Sequence, residues 1–139
     1  MKRTLCCAAL LLALTSCVAP EQRSAPLAPL PEKIQPMPYG RLLERARSQA
    51  KAATEAFYVD NWADLEESAR GLEQIALYLV KAEDVPGKHA DTIKTTSADL
   101  GKNAKLLREA AAAKDVKKTT DVLTKIQLQV REMRLSEGM

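Results

Sequence analysis

From Tyr39 onward, apolar residues recur at alternating spacings of three and four, the period of an amphipathic helix. Leu43, Ala46, Ala50, Ala53 and Phe57 define the first stripe, and Asp60–Asn61 interrupts it with a residue suited to start the next helix. Trp62, Leu65, Ala69, Leu72, Ala76 and Leu79 form the second stripe, widened by Ile75 and halted at Val85-Pro86-Gly87. Asp64 falls in this helix's first turn, where a negative charge favours the dipole. The third stripe runs from about His89 to Ala113 through Ile93, Ser97, Leu100, Ala104, Leu107 and Ala111. Thr95, Thr96 and Gly101 weaken its intrinsic propensity, so packing must hold it. After Lys114, Asp115 is an N-cap for a fourth helix carrying Val116, Thr119, Leu123, Ile126, Val130 and Met133 and ending near Arg134. No strand pattern competes. The spacing predicts an all-α fold, an antiparallel up-down-up-down four-helix bundle over residues 39–135, followed by a short tail, 136–139.

The first 38 residues follow a different pattern. Met1-Lys2-Arg3 is basic, and Leu5 to Leu14 is an apolar run of signal-peptide length, too short to span a bilayer. Leu14-Thr15-Ser16-Cys17 then matches, position by position, the lipobox of bacterial lipoproteins, which this segment resembles. The resemblance implies a signal peptide over 1–16, cleavage before Cys17, and a diacylglycerol on that cysteine anchoring the chain to membrane lipid. In the same family an Asp after the cysteine favours inner-membrane retention. Val18 stands there instead, which points to the outer membrane, on its periplasmic side. Residues 17–38 hold six of the seven prolines and read as an extended tether, about 60 Å at full polyproline reach.

Composition narrows the chemistry. Loss of Lys2 and Arg3 with the signal reduces 21 basic side chains to 19, against 18 acidic, interleaved along the chain. That near-neutral balance gives no nucleic-acid footprint. Cys6 and Cys7 also leave with the signal, so the one remaining cysteine is the acylated one, with neither a disulfide nor a thiol catalyst available. His89 is the lone histidine, and zinc needs three or four ligands. Glu66–Glu67 reads as a solvated face, with Arg70 pairing outward at i,i+4. Met37, Met133 and Met139 fall in linker, core and tail. Phe57, Tyr58, Trp62 and Tyr78 read as core packing around the first turn and second helix. Lysines at 102, 105, 114, 117, 118 and 125 bias the last turn toward positive charge, diluted by Asp99, Glu109, Asp115 and Asp121. No nucleophile–base pair or metal constellation appears, so no catalytic residue, cofactor or metal is assigned.

Residues 89–134 resemble the C-terminal half of the cytochrome c-prime family. The matching stretch is Leu100, Leu107, Ala110 to Ala113, Lys114-Asp115, and Val122 through Arg134. In that family the fourth helix bears Cys-x-x-Cys-His followed by a basic residue. Aligning Arg134 on the basic residue places Ile126 and Gln129 at the two thiols and Val130 at the axial histidine. The resemblance thus implies the bundle and a haem-free one, since neither thioether nor axial ligand is possible. The reading is a membrane-anchored lipoprotein presenting a non-catalytic structural or partner-binding module, with a protein partner or a homodimer both open. The alternative is a small-ligand or metal-binding envelope protein using a cavity between the helices.

Overall fold

Four helices account for most of the computed structural model, which describes residues 23–33 and 36–134. They are α1 (Tyr39–Tyr58), α2 (Trp62–Val80), α3 (Gly87–Ala112) and α4 (Val116–Glu132), and no strand occurs among the described residues. The signal segment, Cys17 and the tail 136–139 lie outside them.

The α1–α2 and α3–α4 turns are built alike. In each, one residue takes a left-handed backbone, Asp60 (φ 55°) or Lys114 (φ 52°). The next residue then closes a long bond back into the helix just ended, Asn61 to the Ala56 carbonyl and Asp115 to the Ala110 carbonyl, both at 2.9 Å. That same residue caps the following helix. Asn61 accepts from the Asp64 amide (3.2 Å) and Asp115 from the Lys118 amide (2.9 Å), as the sequence predicts. The α2–α3 connection is longer. Val85-Pro86-Gly87 ends one element and also begins the next, because Pro86 has φ −54° and serves as the N-cap of α3. His89 therefore sits in the first turn of α3.

Contacts between neighbouring helices run in opposite order along the chain. On α1 and α4, the Tyr39 hydroxyl donates to the Met133 carbonyl, and Gln127 donates to Thr54 Oγ1 at 2.9 Å. On α2 and α3, Arg108 meets Glu73 at 2.5 Å, and Gly101 lies against Ala76. On α3 and α4, Asn103 donates to Gln129 (3.0 Å) while Lys118 approaches Glu109 (4.0 Å). The ring closes as α1–α2–α3–α4–α1, and neither diagonal pair comes into close backbone contact. Gly101 costs helix propensity, and a Cβ there would meet Ala76 Cβ at an ordinary contact distance of 3.4 Å, so the α2–α3 approach does not require it.

The core is Leu- and Ala-rich: Leu42, Leu65, Leu72, Leu79, Leu100, Leu107, Ile126 and Met133 are all essentially inaccessible. The α1 stripe is shifted from its sequence reading. Leu42 is buried, whereas Leu43 and Phe57 pack at the core's margin. The reason is Gln49, a polar residue buried at 1% exposure on the inner line Leu42–Ala46–Gln49–Ala53. Val116 is also corrected: it is 57% exposed, as the first residue of α4 beyond the end of the core. At the other end, the Tyr39 amide donates to both carboxylate oxygens of Asp84 (2.8 and 2.9 Å), placing negative charge on the N-terminus of α1. Burial raises the Tyr39 phenol to about 12.

Candidate functional site: a strap in the α1–α2 groove

Residues 23–33 are no free spacer. They form a strap lying along the groove between α1 and α2, held through their backbone. The Ser24 amide donates to Glu55 Oε2 (2.6 Å), the Leu27 amide to Gln49 Oε1 (2.9 Å) and the Leu30 amide to Gln74 Oε1 (2.7 Å). These donors are three residues apart, one turn of a polyproline helix, so they share a side. Pro26 and Pro29 occupy the intervening stretches and Pro31 follows Leu30, and none has an amide proton to leave unpaired. Carbonyls are read as well. Arg45 donates to Ala28 (2.7 Å), Gln74 Nε2 to Leu30 (2.6 Å) and the Tyr78 hydroxyl to Pro31 (2.5 Å). The Gln74 carboxamide thus grips both polar groups of one residue, as a neighbouring β-strand would. Leu30 adds the apolar anchor, its side chain 7% exposed in the bundle core.

The expectation of a tether free to extend about 60 Å over 17–38 is corrected across 23–33, which are bound in the groove. Prolines do bar helix and central strand, but they also stiffen the segment and lower the entropy lost on docking. The backbone amide of Ser24, with Lys51 at 3.6 Å, holds the Glu55 carboxyl below the usual carboxylate range.

Gly71 makes the seat for Gln49. A Cβ there would stand 2.6 Å from Gln49 Nε2 and 2.9 Å from its Cδ. Gly71→Ala should therefore expel the Gln49 side chain and free the Leu27 amide. The substitution gains about 1 kcal/mol of helix propensity and loses a hydrogen bond worth about the same. The expected result is a thermal midpoint that barely moves, with hydrogen exchange and proteolysis accelerated across residues 23–33. Unchanged protection of the Leu27 amide would show that the groove holds the strap without Gln49.

The other candidate residues are dispersed. His89 is partly exposed, its amide donating to the Pro86 carbonyl (2.8 Å). Glu66 and Glu67 both pair with Arg70 on the surface (3.4 and 3.1 Å). Met37 packs at the core's margin, Met133 is buried with its sulfur 3.6 Å from Ser97 Oγ, and Met139 lies outside the described residues. The aromatic set divides: Phe57 contacts Tyr58 and Trp62 at ring-centre distances of 6.1 and 5.8 Å, Tyr58 is exposed rather than packed in the core, and Tyr78 faces the strap at the other end of α2. Ile126 and Val130 are buried, and Gln129 bonds Asn103. Among the described residues no three metal-type side chains gather. A cleft of about 440 Å³ lies between α1 and α4, where Arg47, Lys51, Arg131 and Arg134 rim Ala50 and Val130.

Sequence reading missed Arg45, Gln49, Glu55, Gly71, Gln74 and Tyr78 as a group. Two signals were present: a glutamine on an apolar stripe, and a glycine in a helix interior, which asks for a packing reason. Comparison with protein families, characterised proteins and solved structures gives no match to this chain.

Proposed function

We propose that this chain is a bacterial lipoprotein, acylated at Cys17, whose bundle is a non-catalytic structural or partner-binding module held close to the membrane. The observation that supports it is the strap. The lipobox cysteine stands seven residues before Ser24, the first strap residue bonded to the bundle, so the anchor leads directly into folded structure. An acyl anchor of this kind constrains the bundle's distance and orientation, which suits a module that meets partners at a membrane surface. Its partners are membrane lipid through Cys17 and, in the envelope, another protein or a second copy. Val18 favours the outer membrane. The haem-free reading draws support from Ile126 and Val130, which spend the face that would meet a haem on packing.

The test is the intact mass of the protein purified from a bacterial envelope. A chain beginning at Cys17 and carrying diacylglycerol is expected, with no haem absorption band after expression with c-type maturation machinery. A free Cys17 thiol or a retained Met1 would overturn the lipoprotein reading. A stoichiometric haem band surviving gel filtration would overturn the non-redox role.

A further inference from the structure

We infer that the end of the bundle formed by the α1–α2 and α3–α4 turns rests on the bilayer interface, a second membrane contact beside the lipid. This rests on the acylation of Cys17 proposed above. The direction of the strap carries the geometry. Ser24 is fastened to Glu55, one helical turn from the end of α1. Seven residues separate it from Cys17, a reach of at most about 25 Å when fully extended. The α1–α2 turn lies within about 10 Å of Glu55 along the helix axis, well inside that reach. The opposite end begins at Tyr39, sixteen residues back along α1 and about 24 Å away, so the anchor would be fully spent getting there. A lipid on Cys17 therefore enters the bilayer beside the two turns.

The surface at that end suits the position. Tyr58, Val59 and Val116 are 79, 45 and 57% exposed; the other large exposed apolar residues, Leu77, Leu106 and Leu128, lie on helix flanks. Phe57 packs edge-on against Trp62 and at a tilt against Tyr58, and Lys114, Lys117 and Lys118 are exposed next to Val116 in the chain. Aromatic and apolar side chains ringed by lysines match the headgroup layer, where rings sit at the boundary and ammonium groups meet anionic lipid. Asp60, Asp64, Glu109 and Asp115 share this end, and Asp115 is engaged as an N-cap. The electrostatic part is accordingly mild, and the apolar tip supplies the contact.

The test uses acylated protein on vesicles of phosphatidylethanolamine and phosphatidylglycerol. A single cysteine replaces Val59, Val116 or, as the distal control, Glu83, and carries an environment-sensitive fluorophore. At positions 59 and 116 a blue-shifted emission and a several-fold loss of quenching by aqueous iodide are expected, with position 83 unchanged. Intact mass and vesicle co-sedimentation report acylation separately. Acylated, vesicle-bound protein with all three probes equally quenched overturns the tip contact and leaves the lipoprotein reading standing. Unacylated protein overturns both. Probes at 59 and 116 already shielded without lipid, in a soluble Cys17→Ala background, would assign the tip to a second copy and overturn the membrane contact.

Discussion

Cys17→Ala should transfer the protein almost completely from the membrane fraction to the soluble envelope fraction. The magnitude follows from what remains to hold it. Each buried methylene of an acyl chain contributes about 0.8 kcal/mol, and two or more chains together give stable anchoring. No described helix is long and apolar enough to cross a membrane. The tip offers Tyr58, Val59 and Val116, and even a fully buried apolar side chain is worth only about 1.5–3 kcal/mol. Three such side chains, partly immersed, could not replace dozens of methylenes, so the proposed tip contact would orient a tethered bundle without retaining a free one. Ultracentrifugal fractionation of wild type and variant, with mass determination of the N-terminus, reads the outcome. A Cys17→Ala chain that has lost its signal yet still pellets with membranes would show that the anchor lies elsewhere.

What could be read from the sequence was local. Each helix owes its place to three-and-four spacing within its own segment, and the caps Asn61 and Asp115 act on amides three residues away. The pairing of elements was implied by short turns. The strap escaped because its bonds cross 17 to 47 residues and use polar side chains on the helices, which no pattern inside the proline-rich segment announces. Proline content says only what that segment will not form. Gln49 lies outside the stripe drawn through Leu43, yet it is buried, with its Oε1 accepting from the Leu27 amide. Val116 fitted the α4 stripe but sits past the last core layer, so correct periodicity gave incorrect burial. The sequence offered only a lysine bias near the α3–α4 turn; which end of the bundle the strap starts from is given by the placement of Ser24 beside Glu55.

Ile126→Ala should cost roughly 2–5 kcal/mol of unfolding free energy, the range for deleting most of a buried aliphatic side chain. Ile126 is fully inaccessible at the middle of α4, the shortest helix, between the buried Leu123 and Val130. Alanine there removes apolar contacts and leaves a void that close-packed neighbours fill only in part. Against a total stability of about 5–15 kcal/mol for an ordinary domain, the loss is large enough to lower the thermal midpoint by many degrees. Denaturant titration in the soluble Cys17→Ala background measures it without detergent. Leu128→Ala is the internal control: it lies on the same helix at 45% exposure and should change stability by no more than about 0.5 kcal/mol. The contrast tests the register of α4 directly, because a rotation of the helix that exposed Ile126 would bury Leu128. Loss at position 128 with none at 126 would reverse the face of α4 and return the positions aligned with the haem motif to the surface. Loss at 126 alone fixes Ile126 and Val130 as core, and with them the packing that occupies that face.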